Sequence, residues 1–303
     1  MASFSGQVKS EICGNIRKAA AHRAFLTGVL LAAKRFSDTE IVLQTECEAF
    51  AGLFPQMMQT AAPMLRYDTE FRRRSGKQAV WCFTLRGQEE ISFLTEALCI
   101  RLQNRAEALR ELSGSALAQA AAGAFVICGS ITDPERRYHL ELVLPDAELS
   151  AAAQQILSEP PQEIRFKSTV RKGDTVLYLK QNEQICDALT YFGAPNASMA
   201  LAEQQIYKSI RSQTNRRLNC DLANIDKTVA AGAQQVAAIR LISETAGISA
   251  LPENLQEIAS LRLSEPEASL RELGAMCNPP LTRSGVNHRL RRIAEIAEKL
   301  NKE

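Results

Sequence analysis

The sequence has no long hydrophobic run. Its longest apolar stretch, around residues 24–33, is well short of the ~20 residues a spanning helix needs, which argues against a membrane protein. The eight cysteines include no Cys-x-x-Cys pair, and His22, His139 and His288 stand far apart. Neither a zinc site nor a disulfide framework is therefore written in the chain, and no metal or cofactor is expected. Reduced thiols in a cytoplasm are the simplest expectation, most of them serving as small core residues. The opening Met1-Ala-Ser-Phe-Ser-Gly-Gln has no basic stretch followed by an apolar block, so no secretory signal is expected. Charge excess is also scarce. The 36 Lys+Arg nearly balance 34 Asp+Glu, and with 46% apolar residues this excludes a disordered chain. At roughly 150 residues per domain, a length of 303 suggests about two domains.

What is present is a repeat. From about His22 to Gln103 the pattern runs apolar helix, turn at Ser37-Asp38, strand at Glu40–Thr45, helix from Glu46 to Thr60, hairpin, and helix from Gln88. The hairpin strands, Met64–Arg74 and Gln78–Arg86, turn at Ser75-Gly76-Lys77. From about Ser115 to Tyr191 the order recurs: apolar helix, turn at Asp133-Pro134, strand at Tyr138–Leu144, helix from Ala147 to Leu157, hairpin, and a helix from Glu183 to Phe192. The second hairpin turns at Lys172-Gly173-Asp174. Alternation with β-branched and aromatic residues marks the strands, and glycine among polar residues marks the turns. Gly28 and Gly123 fall at equivalent places. Glycine costs about 1 kcal/mol in a helix interior, so its presence in both repeats predicts close helix-to-helix approach.

This helix pair resembles the LAGLIDADG fold of homing endonucleases, in which two such helices pack side by side and two saddle-shaped sheets grip DNA. Laid on Leu26–Lys34, the motif puts Ala33 at the catalytic acid and Lys34 at the final glycine. Laid on Ala121–Gly129, it puts Cys128 at the second acid. Mg²⁺-dependent cleavage needs hard oxygen ligands, which neither alanine nor a thiol supplies. Asp38 and Asp133 lie five residues beyond these positions and read as turn residues. The resemblance thus implies a scaffold that does not cut DNA. An active nuclease using other acids is the competing reading, and it needs a carboxylate pair at the helix crossing that the sequence does not offer.

The expected organisation is an α+β domain over residues 1–195, a duplicated LAGLIDADG-like αββαββα unit (helix, strand pair, helix, hairpin, helix) with repeats at about 20–105 and 113–193. A basic polar linker over 196–227 follows, then an all-α domain over 228–303 with a helix-turn-helix at about 268–301. The linker carries Lys208, Arg211, Arg216 and Arg217 and suits either phosphate contact or plain solvation. Arg72, Arg73, Arg74 and Lys77 on the first hairpin match Arg165, Lys167, Arg171 and Lys172 on the second. Their equivalent places suggest phosphate contacts; the alternative is a charged strand edge that discourages aggregation.

The last segment carries the most information. Ser269-Leu-Arg-Glu272 fits a capping box opening a short helix, Leu270 to Met276. A final helix follows from Thr282. At ~100° per residue, Leu290, Ile293, Ala297 and Leu300 fall within ~40° of Val286. Ser284, His288, Arg291 and Glu295 fall opposite, flanked by Asn287 and Arg292. Arg283 to Arg292 contains four arginines, Arg289 among them, and no acid. A short helix, a turn, and a helix opening on Ser, Asn, His and Arg is the layout of a helix-turn-helix, whose second helix enters the major groove. Arginine reads guanine bidentately and asparagine reads adenine. The candidate DNA-binding set is Ser269, Thr282, Arg283, Ser284, Asn287, His288, Arg289, Arg291 and Arg292. The alternative is an amphipathic helix docked on the repeat domain.

Pro266–Gly274 and Thr282–Ile293 resemble the C-terminus of the bacterial WhiA family. So do Asn215–Asn224 and Gly129–Pro134 with Tyr138–Glu141. The resemblance implies a regulator that binds double-stranded DNA, with another regulator or RNA polymerase as further partners and no membrane. It also implies roles in cell division, chromosome segregation and, in sporulating relatives, sporulation septation. A division protein acting mainly through protein contacts is the remaining alternative.

Overall fold

The computed structural model describes residues 3–73 and 79–301. By its internal contacts the chain divides into two units, Met1–Lys208 and Ser209–Glu303.

The first unit opens with α1 (Phe4–Asn15), capped by the Ser3 hydroxyl. The first repeat then runs α2 (Ala19–Leu31), β1 (Arg35–Phe36), β2 (Glu40–Thr45), α3 (Glu48–Ala61), β3 (Asp68–Arg72), β4 (Val80–Arg86) and α4 (Gln88–Ala97). After a short α5 (Arg105–Arg110) the second repeat runs α6 (Gly114–Cys128), β5 (Gly129–Ile131), β6 (Leu140–Leu144), α7 (Ala147–Ser158), β7 (Lys167–Arg171), β8 (Asp174–Leu179) and α8 (Asn182–Tyr191). Each repeat is αββαββα, as the sequence pattern predicts. The two antiparallel sheets have the same order, β1-β2-β4-β3 and β5-β6-β8-β7. The Lys172-Gly173 turn has positive φ at both residues, 54° and 87°, which matches the twist of a tight hairpin. The corresponding Ser75-Gly76-Lys77 turn lies outside the described residues.

The glycines of α2 and α6 do what their cost suggests. A Cβ on Gly28 would stand 1.8 Å from the Ala120 carbonyl oxygen, and one on Gly123 would stand 2.1 Å from that of Phe25. Phe25 and Ala120 are separated by the same 95 residues as the two glycines, so the contact is made twice by equivalent residues. Phe25, Leu26, Val29, Leu30, Phe125 and Val126 are buried around it, and burial of side chains of this size contributes about 1.5–3 kcal/mol each.

Helix α9 (Pro195–Thr245) is a correction to the expected organisation. Residues 196–227, expected as a basic polar linker, are helical throughout. The segment from Asn196 to Ala231 contains no glycine or proline, so nothing breaks the backbone pattern once it has started. Gly247 stands just past the end of this helix, with φ 79°. After a 3-10 turn (Ile248–Ala250) come α10 (Glu253–Ser264), α11 (Leu270–Met276) and α12 (Arg283–Leu300). Their core is Ile239, Ile242, Leu255, Ile258, Leu273, Val286, Leu290 and Ile293. Of the eight thiols, Cys13, Cys47, Cys82 and Cys277 are buried while Cys99 and Cys220 are exposed. No described helix is long and apolar enough to cross a membrane.

Candidate nucleic-acid interface

Local chemistry sets α11 and α12 in place. Ser269 Oγ accepts the Glu272 amide at 3.3 Å, and Glu272 Oε2 accepts the Ser269 amide at 2.8 Å, completing the capping box. Thr282 Oγ1 accepts the Gly285 amide at 3.2 Å and caps α12. Between them the chain must turn sharply. Leu281 N–H donates to Gly274 O at 2.8 Å, and a Cβ on Gly274 would meet the Leu281 carbonyl oxygen at 2.3 Å. Glu257 of α10 accepts the Asn278 amide at 2.8 Å and holds the far side of the turn. Gly274 and Glu257 are site-building residues that the sequence reading passed over. A glycine inside a short capped helix was the available signal for the first.

The stripe on α12 divides as its period requires. Val286, Leu290, Ile293 and Ala297 are at most 4% exposed. Ser284, Asn287, His288, Arg291, Arg292 and Glu295 line one shallow open groove on the opposite side. Arg283 is exposed beside Asn287 on the flank of this face. Arg292 lies 3.6 Å from Glu295, the next turn along. Arg283 and Arg291 have no carboxylate partner among the described residues. Three members of the expected set stand apart. Ser269 and Thr282 spend a hydroxyl lone pair on helix caps. Arg289 is half-buried, within electrostatic reach of Cys277, away from the open groove.

The hairpin arginines have different surroundings. β3 and β7 are fully exposed edge strands. Arg72 Nε donates to Glu70 at 3.0 Å. Arg171 Nη2 reaches Glu141 at 3.2 Å, and Arg165 lies 3.8 Å from Glu163. Arg86 bridges Glu40 at 3.3 Å and Asp68 at 2.6 Å. Glu141 also meets His139 at 3.4 Å and Ser130 at 3.3 Å. Burial alone would raise the Glu141 carboxyl pKa, but the bonds from Arg171 and His139 outweigh it and hold the group below its usual range. Arg73, Lys167 and Lys172 are exposed and have no ion pair among the described residues. Arg211, Arg216 and Arg217 are exposed on α9, whereas Arg74 and Lys77 lie outside the described residues.

Cations stand near Ala33 and Cys128, the two positions that the motif resemblance sets at the catalytic acids. Ala33 is buried just past the end of α2, and Arg105 Nη1 donates to its carbonyl at 3.0 Å and to that of Leu31 at 3.3 Å. Arg105 Nη2 lies 2.9 Å from Asp146, and the adjacent Lys34 pairs with Asp174 at 2.8 Å. Burial pushes the Arg105 pKa down despite Asp146. Cys128 ends α6, and burial drives its thiol up to about 12. Lys9 of α1 lies within electrostatic reach of Cys128 and Cys47, with its ammonium pKa lowered by burial. These residues do not fit a divalent cation: neither Ala33 nor Cys128 supplies a hard oxygen side chain, and the nearby carboxylates Asp146 and Asp174 are paired with Arg105 and Lys34. No group of His, Cys, Asp and Glu suited to hold a metal occurs among the described residues.

Comparison with known proteins agrees with this layout. Residues 117–211 match the family model described as WhiA LAGLIDADG-like domain, and residues 214–297 match the WhiA C-terminal HTH domain. A "Probable cell division protein WhiA" of Lachnoclostridium phytofermentans is 35% identical, over 98% of this chain and 99% of its own length. The chain belongs to the WhiA family. A WhiA relative of the same description in Clostridium novyi is 44% identical over 60% of this chain and 56% of its own. The crystal structure of full-length DUF199/WhiA from Thermatoga maritima aligns with a TM-score of 0.59 at 25% identity, covering 98% of this chain and 99% of that one. The first αββαββα repeat lies outside the LAGLIDADG-like match, and its kinship to the second rests on the shared strand order.

Proposed function

We propose that this WhiA-family chain is a sequence-specific DNA-binding regulator of cell division that holds DNA without cutting it. The observation that carries this reading is the open face of α12, where Ser284, Asn287, His288 and Arg291 stand together on a helix whose other side is core. Such a helix presents hydrogen-bond donors at the depth of base edges, and its unpaired arginines keep their charge for DNA. The relatives' description as probable cell division proteins supports the biological assignment. Transcription regulation, chromosome segregation and, in sporulating relatives, sporulation septation are the roles through which this binding acts. The setting is the cytoplasm at the nucleoid, with RNA polymerase or another regulator as partner.

Arg105, Lys34 and Lys9 support the non-cleaving half of the reading, since the first two occupy the nearby carboxylates Asp146 and Asp174 and the third sets positive charge near Cys128, where cleavage needs a metal. Footprinting on genomic fragments tests the whole. The protein should protect defined sites, Arg291→Ala should lose that protection, and incubation with Mg²⁺ or Mn²⁺ should leave the DNA uncut. Unchanged protection by Arg291→Ala removes α12 from the site, and specific nicking refutes the non-cleaving reading.

A further inference from the structure

A cleft of about 1450 Å³ lies beside α12, entirely within the second unit. One wall is the stretch of α9 from Lys227 to Glu244; another is the α10–α11 connection; Arg283 and Asn287 of α12 form the third. Five cations line it, Lys227, Arg240, Arg262, Arg271 and Arg283, against two acids, Glu244 and Glu267. None of the five has a carboxylate partner among the described residues. Arg262 is 3% exposed. Its Nη1 donates to the carbonyls of Ala268 at 2.6 Å and Pro266 at 3.2 Å, and its Nε has no partner among the described residues. A buried guanidinium normally has an anion beside it, because leaving the charge uncompensated is costly. Here its field adds to that of the other cations, and a cleft with low-dielectric walls concentrates such a field.

The shape suits a strand of nucleic-acid backbone. Between Lys227 and Arg240 the α9 wall carries Ala231, Gly232, Ala233 and Ala237, side chains small enough for a close approach. At 1.5 Å per residue the two cations are about 20 Å apart along the helix, a length spanned by several phosphates spaced about 3.4 Å apart along a duplex axis. A helix seated in a major groove about 12 Å wide has a phosphate strand on each flank. The flank of α12 that carries Arg283 and Asn287 is the one that borders the cleft.

We propose that this cleft binds the DNA backbone: one strand of the duplex lies against α9, with Lys227, Arg240 and Arg271 on its phosphates, while α12 occupies the groove. Arg262 acts as a positioning residue that ties the α10–α11 connection and charges the floor. This rests on the reading of α12 given above, and it makes α9 part of the DNA site.

The test is fluorescence anisotropy of the full chain on two labelled duplexes, one carrying a footprinted site and one of random sequence, across a salt series. Lys227→Gln/Arg240→Gln should weaken both duplexes alike and reduce the slope of log K against log salt by about 2, near 0.9 per lost phosphate contact. Both side chains are exposed, and an unchanged thermal midpoint would separate this from unfolding. A wild-type slope and affinity in the double variant would overturn the proposal. Arg291→Ala runs alongside: if it loses site preference while the double variant is unaffected, the cleft proposal alone fails. If instead inorganic phosphate raises the thermal midpoint of the wild-type chain but not of the double variant, and the duplex slope is unchanged, the cleft holds a free phosphate and the proposal is overturned.

Discussion

On the outer face of the second sheet, Arg171 reaches Glu141, and Glu141 also holds His139 and Ser130. On α12, Arg291 faces an open groove with no carboxylate partner among the described residues. The two arginines are the same chemical group in opposite states. A paired guanidinium must give up its carboxylate before it can hold a phosphate, and that acid then repels the incoming anion. An unpaired one loses only water. The contrast recurs at Arg72 with Glu70 and Arg86 with Glu40 and Asp68 on one side, and at Arg240, Arg271 and Arg283 on the other. A count of basic residues therefore does not locate a nucleic-acid surface; the fate of each charge does. The first unit keeps two sheets of the same strand order with Arg72, Arg86 and Arg171 neutralised in place, whereas Arg240, Arg271, Arg283 and Arg291 of the second unit have no carboxylate partner among the described residues.

The largest effect that bears on this contrast concerns the scaffold. Gly28→Val places side-chain atoms where the Ala120 carbonyl already stands, and should cost more than about 4 kcal/mol, read as a collapse of the thermal midpoint. A folded variant with an unchanged midpoint would mean that α2 and α6 do not pack as described. Next is the pair Arg291→Ala and Arg171→Ala. The first should weaken binding to a footprinted site by ~1–3 kcal/mol and relax its specificity. The second should leave DNA affinity unchanged, and an equal loss from both would erase the distinction between the two faces.

Thr282→Ala should cost about 1 kcal/mol of stability by removing the α12 cap, measured by denaturant midpoint. A similar loss of DNA binding would follow only from the loosened helix start. The smallest effect is at Glu141. Its folded pKa is depressed, so the stability it contributes is full above the ordinary carboxylate value of about 4.3 and is lost as pH falls through the lower folded value. Glu141→Gln should flatten that acid limb of the midpoint-versus-pH curve, by no more than about 1 kcal/mol. An unaltered limb would mean that the Arg171–Glu141–His139 network is not formed in solution.

Much of this was legible from residue order. The α12 stripe follows from a 3.6-residue period carried by Val286, Leu290, Ile293 and Ala297, and the capping box follows from Ser269 and Glu272. The repeat emerged because glycines and turns recur at matching intervals. Four features were less visible. Helix α1 buries only Val8, Ile12 and Cys13, too few apolar positions to mark a period among polar neighbours. Helix α9 was hidden by its asparagines and arginines, although the lack of glycine and proline from Asn196 to Ala231 was a readable sign. The pairing of the hairpin arginines was in part readable too. Asp68, Glu70 and Arg72 are alternate residues of one strand and so share a face, while the partnership of Arg171 with Glu141 needed the sheet order. The cations at Ala33 and Cys128 come from Arg105 and Lys9, distant in sequence, and only the fold brings them there.

The most direct measurement is the salt dependence of duplex affinity for two charge-removed forms of the full chain. One carries Arg283→Gln, Arg291→Gln and Arg292→Gln on α12; the other carries Arg72→Gln and Arg171→Gln on the edge strands and Arg165→Gln just before β7. The account predicts that the helix form loses about 0.9 in slope for each phosphate-bound arginine, together with its site preference, and that the sheet form keeps the wild-type slope. A sheet form with the larger loss, and a helix form indistinguishable from the unmodified chain, would contradict it.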